Sequence, residues 1–275
     1  MPELPEVETT RAGIAPWMED AKLVDAVVRE TRLRWPLNKA EVAALVGGQI
    51  HRVERRAKYL LISIDAKVLL IHLGMSGSIR ILDPQEPVAK HDHFDLVIQH
   101  PDQKPKVMRF NDPRRFGCCL VLDQPISEHA LLASLGPEPL SEEFDGEHLY
   151  KLSRGRKAPV KNFIMDGKVV VGVGNIYASE ALYEAGIRPG KAAGRISKPA
   201  YQKLASEIKA VLGKAIKAGG TTLNDFTQSD GQPGYFRHEL QVYGRAGEAC
   251  YRCGQTIRSR VIGQRNTFYC IECQR

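Results

Sequence analysis

CYRCGQTIRSRVIGQRNTFYCIEC, residues Cys250–Cys273, holds two C-x-x-C knuckles separated by sixteen residues. At that spacing four thiolates can surround one Zn²⁺ tetrahedrally, so Cys250, Cys253, Cys270 and Cys273 are read as the ligands of a single structural zinc. A segment this short cannot build a sufficient apolar core, and metal binding supplies its folding energy. Disulfides are disfavoured in a reducing compartment, and a redox C-x-x-C needs no matched second pair. Thr256–Ile262 and Thr267–Tyr269 read as two strands around a tip at Gly263–Asn266. Arg265 therefore falls at or near that tip, where an arginine in an arbitrary zinc ribbon contacts phosphate.

Immediately N-terminal to this module the pattern is helical. Tyr201, Leu204, Ile208, Val211, Leu212 and Ile216 form an apolar stripe on a helix that starts at Ser197 and stops at Gly219 and Gly220. Asn175 is placed as the cap of a helix running to about Glu184, with Gly186 as its stop. The polar Gly/Pro stretch 227–237, TQSDGQPGYFR, reads as a mobile loop. GPEPLSEEFDG, 136–146, reads as the core of a linker over 136–150. Before it, Tyr59–Ile64, Val68–Leu73, Ser78–Leu82, Phe94–Gln99 and Cys118–Leu122 are short β-branched and aliphatic runs punctuated by Gly, Pro and Asp, as in an antiparallel sandwich or barrel. Adjacent Cys118 and Cys119 are read as packing residues. An N-terminal helix precedes the strands, with Pro5 suited to its first helical position and Glu6 and Glu8 at the positive end of its dipole.

Net charge is +7 over 275 residues, and its distribution is uneven. Residues 151–168 carry Lys151, Arg154, Arg156, Lys157, Lys161 and Lys168 against Asp166, while the first twenty residues are net acidic. The asymmetry points to a polyanion partner for the C-terminal half, nucleic acid being the first choice, unless these charges are only solvated helix faces. No apolar run approaches the ~20 residues of a membrane helix, and the acidic N-terminus resembles no secretory or transit signal. The expected setting is the cytoplasm.

MPELPEVE means little by composition, yet it permits a specific chemistry. Removal of Met1 exposes the secondary amine of Pro2, and an α-amine has a pKa near ~8, so a useful fraction is nucleophilic at neutral pH. Glu3 is adjacent and able to move a proton.

MPELPEVE, RRAKYL (Arg55–Leu60), HLGMSGSIR (His72–Arg80), KHDHFD (Lys90–Asp95), NDPRRFG (Asn111–Gly117), VVGVGNIYASE (Val170–Glu180) and GQRNTFYC (Gly263–Cys270) together resemble the bacterial formamidopyrimidine-DNA glycosylases, in order and from end to end. The resemblance implies an α+β protein. A β-sandwich flanked by helices occupies 1–135, a helix–two-turns–helix domain 151–240, and a four-cysteine zinc finger 241–275. It implies excision of oxidised purines from double-stranded DNA, with cleavage at abasic sites, by a monomer needing no redox cofactor and no catalytic metal. By the same resemblance Pro2 is the nucleophile and Glu3 the general acid/base, with Glu6 a supporting carboxylate. Lys58 and Arg265 assist at flanking phosphates, Arg265 in δ-elimination. His91, Arg114, Lys157 and Asn175 contact DNA; a helix start is an anion site in its own right. Met75, Arg114 and Phe116 match a wedge that unstacks the helix and faces the orphaned base, although from pattern alone Met75 and Phe116 would be core. His91 with His93 lacks a third metal ligand. The loop 227–237 corresponds to the segment that closes over an everted base. Two rivals stand beside this reading: a non-catalytic zinc-ribbon nucleic-acid binder, which leaves Pro2–Glu3 without a role, and the sister endonuclease VIII, which takes oxidised pyrimidines and begins PEGPE rather than PELPE.

Overall fold

The structure, a computed structural model, describes residues 2–101, 103–123, 125–220 and 239–275. The loop expected at 227–237 falls outside the described residues. The chain divides into two units: the first holds residues up to Ala133 and the short stretch 218–220, the second 134–217 and 239–275.

The first unit is a sandwich of two four-stranded antiparallel sheets. One has the order β1 (Lys22–Val28), β6 (Asp92–Gln99), β7 (Lys106–Asn111), β5 (Ser78–Leu82); the other β2 (Ile50–Arg56), β3 (Tyr59–Ile64), β4 (Lys67–His72), β8 (Cys118–Asp123). Alternation sets their inner faces. Leu60, Ile62 and Ile64 of β3 and Leu69 and Ile71 of β4 point into one core, meeting Leu96 and Ile98 of β6 and Met108 and Phe110 of β7. Phe94 and Phe110, paired across β6 and β7, stack with ring centroids 5.0 Å apart. Cys119 joins this core, and Cys118 is buried with it. Helix α1 (Leu4–Met18) packs on β2 and β5, burying Val7, Ile14 and Met18 at helical spacing. Helix α2 (Lys39–Ala43) is short and capped by the Asn38 side chain.

Three strands lie beyond the runs singled out in the sequence. β2 and β7 are punctuated by charge, and β7 carries Arg109, a buried arginine. Its guanidinium meets Asp95, directly opposite on β6, through two bonds of 2.9 Å. A charge paired bidentately across a sheet tolerates burial that a lone one does not.

The second unit is helical: α3 (Gly146–Ser153), α4 (Val160–Met165), α5 (Asn175–Ala185) and α6 (Lys198–Lys217). α4 and α5 are linked by a turn closed by Val169 N–H on the Asp166 carbonyl at 2.9 Å and a bend at Gly172, φ 79°. The predicted stripe on α6 is buried at Tyr201, Leu204, Ile208, Val211 and Leu212. Gly186 ends α5 in the left-handed region at φ 74°. Among the described residues no helix is long and apolar enough to cross a membrane.

Two expectations change here. The stretch read as a linker is packed: Phe144 is wholly buried, Gly136 N–H bonds the Gly167 carbonyl at 2.8 Å, and α3 already begins at Gly146. A single buried aromatic outweighs the polar composition around it. Asn175 is the first residue of α5 and not its cap, which is Gly174; the Asn175 side chain is engaged elsewhere.

Candidate active site and nucleic-acid contacts

The head of α1 gathers Pro2, Glu3 and Glu6, all buried. Glu3 caps the helix, and a reciprocal capping box joins it to Glu6. Glu6 Oε2 accepts the Glu3 backbone N–H at 2.8 Å. That N–H belongs to the peptide that follows Pro2, so Glu6 fixes the plane from which the Pro2 nitrogen projects. The two carboxylates are 2% and 3% exposed, stabilised by helix N–H groups and the positive end of the dipole. Gly220 lies against Glu6: a Cβ there would stand 3.1 Å from Oε1 and 3.2 Å from Cγ, and its φ is 79°.

Lys58 follows Ala57 in the tight turn joining β2 to β3, where Ala57 adopts φ 55°. The turn is tied to α1 by Arg55, whose Nε donates to Glu8 at 2.9 Å and whose Nη1 donates to the Ala57 carbonyl at 2.9 Å. Next to it His72 is neutral: burial, reinforced by Lys58 and Arg34, pushes its pKa down to about 4. Its Nδ1 accepts the Gly74 N–H at 2.9 Å.

Met75 and the pair Arg114–Phe116 sit on neighbouring turns. Phe116 is 44% exposed, with the Arg114 guanidinium 4.9 Å from its ring centroid. Core membership, the pattern-based alternative for Phe116, is thereby excluded; Met75 is half-buried. Gly74 is where the turns touch. With φ at 66°, a Cβ would stand 2.4 Å from the Phe116 carbonyl carbon and from Gly117 N. Gly74→Ala is accordingly expected to cost about 2–3 kcal/mol of stability from backbone strain and collision, read as a fall in Tm. An unchanged Tm would show that the turns part freely. His91 is half-buried, and its carbonyl accepts the Asp112 N–H at 3.1 Å. His93 is buried with Nε2 on the Asp112 carbonyl at 2.7 Å, leaving it unsuited to a metal pair with His91.

In the second unit Asn175 and Arg265 are brought together. Asn175 Nδ2 donates to the Asn266 carbonyl at 3.0 Å, one residue beyond Arg265. Strands β9 (Arg258–Ile262) and β10 (Arg265–Tyr269) pair with Ile262 opposite Arg265, so the tip is Gly263–Gln264, both with positive φ, and exposed Arg265 opens β10. Lys157 is exposed ahead of α4. Lys161, counted in the sequence among the basic surface cluster, is instead wholly buried. Its Nζ donates to Asn175 Oδ1 at 2.5 Å and Thr267 Oγ1 at 2.7 Å, joining α4, α5 and the hairpin. Only its place on the apolar side of α4, beside Val160 and Ile164, distinguishes it from its neighbours, and a six-residue helix is too short to reveal that by period. Glu180 is the other hidden group, its carboxylate accepting the backbone N–H groups of Gln241, Val242 and Tyr243 at 2.8, 3.0 and 2.8 Å.

The sulfurs of Cys250, Cys253, Cys270 and Cys273 all lie within 4.8 Å of one another and form no disulfide. A tetrahedral zinc with ~2.3 Å bonds needs sulfurs about 3.8 Å apart; the Cys250–Cys273 and Cys253–Cys270 pairs are at 3.9 and 3.5 Å. The donor set fits one structural zinc and leaves no open coordination position. It is the one such cluster among the described residues.

Three family models cover the chain in succession: the formamidopyrimidine-DNA glycosylase N-terminal domain over 1–119, the H2TH domain of the same enzymes over 135–227, and a zinc finger found in FPG and IleRS over 247–275. The chain is 57% identical over 275 residues, the full length of both, to the formamidopyrimidine-DNA glycosylase of Syntrophotalea carbinolica. A Lactococcus lactis FPG mutant, solved with DNA containing Fapy-dG, superposes with a TM-score of 0.91 at 31% identity, each chain wholly covered. A MutM structure with DNA containing carbocyclic 8-oxo-G gives 0.90 at 32%, again with full coverage.

Proposed function

The chain belongs to the formamidopyrimidine-DNA glycosylase family, and from that premise we propose how its own residues perform the work. It is a DNA-repair glycosylase and AP lyase acting on lesion-bearing DNA, with one structural zinc. Its substrates are oxidised purines, 8-oxoguanine and ring-opened formamidopyrimidines, together with abasic sites in duplex DNA. It works as a monomer in the cytoplasm, on the nucleoid.

The reaction begins once Met1 is removed. The Pro2 nitrogen attacks the sugar C1′, the bond from C1′ to the base breaks, and Glu3 transfers the proton that the opening sugar or leaving base requires. A secondary amine yields an iminium cation, which has no N–H to lose and stays an electron sink. Loss of a C2′ proton then expels the 3′ phosphate, and a second elimination expels the 5′ phosphate. Glu6 holds the Glu3 peptide and thereby aims Pro2. Lys58 and Arg265 contact flanking phosphates, Arg265 assisting the second elimination; His91, Lys157 and Asn175 hold backbone phosphates further out. Met75, Arg114 and Phe116 open the stack and occupy the gap.

The observation that carries this reading is the buried pair Glu3–Glu6 at the head of α1, joined to the peptide that follows Pro2. A capping box alone accounts for the two carboxylates, but it needs no amine beside it; their burial next to the Pro2 nitrogen is what a non-catalytic binder leaves without a role. Excision from matched duplexes decides the substrate: 8-oxoguanine opposite cytosine should be released faster than thymine glycol by at least about ten-fold, the ~1.4 kcal/mol of one discriminating contact. Dominant release of thymine glycol would transfer the chain to the pyrimidine-directed branch.

A further inference from the structure

Asp112 opens the turn that bears Arg114 and Phe116, and its side chain is wholly buried. A carboxylate withdrawn from water needs donors on both oxygens. Oδ1 accepts the Ser76 hydroxyl at 2.7 Å and the Arg114 backbone N–H at 3.3 Å; Oδ2 accepts the Gly117 N–H at 2.8 Å. Ser76 Oγ also accepts that Arg114 N–H, at 3.2 Å. The main chain of Asp112 is engaged as well, its N–H on the His91 carbonyl at 3.1 Å and its carbonyl on His93 Nε2 at 2.7 Å. A carbonyl only accepts, so His93 carries its proton on Nε2.

Three segments distant in sequence thus meet on one residue: the turn 73–77 with Met75, the turn 112–117, and the approach to β6 with His91. These bonds serve the turns and not the ladders, which the strands complete by themselves. Phe116 and Arg114 are exposed and touch each other rather than the core, so core packing does not hold the pair; its direction is set by the backbone that carries it. We propose that Asp112 with Ser76 is a positioning staple for base extrusion, locking Met75, Arg114 and Phe116 into one rigid wedge before DNA arrives. The inference rests on the wedge role proposed above for those three side chains.

Ser76→Ala removes one hydroxyl and leaves the remaining bonds of Asp112 in place. Extrusion is read by stopped-flow fluorescence of 2-aminopurine placed beside 8-oxoguanine in a duplex. Chemistry is read by borohydride trapping on a single-stranded oligonucleotide carrying one abasic site, which has no base to extrude. Extrusion should slow about ten-fold, the scale of one buried hydrogen bond, while trapping changes by less than about two-fold. Asp112→Asn keeps one acceptor oxygen and should show the same selectivity, which decides the matter if Ser76→Ala fails to fold. Equal slowing of both steps, or normal extrusion in both variants, overturns the staple. Normal extrusion by Met75→Ala overturns the wedge, and a wild-type protein that releases no 8-oxoguanine overturns the proposed function; each takes the staple with it.

Discussion

Replacing Pro2 by glycine should slow release of 8-oxoguanine by at least about 10²-fold, the penalty of a mispositioned reacting group, while duplex affinity changes by less than about three-fold. Glycine retains an α-amine, so the loss isolates what the ring contributes. The ring of an amino-terminal proline fixes rotation about its N–Cα bond, so the nitrogen lone pair keeps one direction on the peptide that Glu6 holds; the amine of glycine rotates freely about that bond. A primary amine also gives an imine that must be protonated before it draws electrons, whereas proline's iminium is a permanent cation. Affinity is spared because phosphate contacts dominate it. Single-turnover kinetics and equilibrium titration at one salt concentration separate the two. Equal losses in rate and affinity would mean that Pro2 is structural.

Removal of zinc, by chelation or by Cys270→Ser, should produce the second large effect. The finger's buried cluster is small, Val242, Cys250, Ile257, Phe268 and Cys270 with Tyr183, and an isolated two-stranded hairpin is marginal at best. Structural zinc supplies about 10–16 kcal/mol of folding free energy in such modules. Its loss releases β9 and β10, and with them Arg265 and the carbonyl that holds Asn175. Duplex affinity should fall about 10²-fold as two phosphate contacts disappear, each near ~1.4 kcal/mol. Both tryptophans, Trp17 and Trp35, lie in the first unit. Their emission should therefore stay native while metal content and affinity drop together. Retained affinity in a zinc-free protein would remove the finger from the DNA surface.

What could be read without the structure followed from how local each signal is. The thiolate spacing, the glycine stops of α5 and α6, and the aliphatic runs that become β3 and β4 are short-range patterns, and each emerged where expected. Residues whose role depends on a distant partner did not. Arg109 reads as a solvated charge until Asp95 is seen opposite it, and Lys161 reads as one more surface lysine until Asn175 and Thr267 surround its ammonium. Phe144 is an ordinary loop aromatic until it is buried. The candidate site residues were singled out chiefly through the assembled motifs, since a half-buried methionine and an exposed phenylalanine carry no local mark. Asp112 and Ser76 lay inside those motifs yet acquired a role only when Met75 and Phe116 proved to sit on adjoining turns.

Mass spectrometry of the borohydride-trapped complex with an 8-oxoguanine duplex tests the central claim most directly. A sugar remnant on an amino-terminal peptide beginning at Pro2, with Met1 absent, is the predicted result. An adduct on Lys58 or Lys161, or full-rate excision by protein that retains Met1, would contradict it.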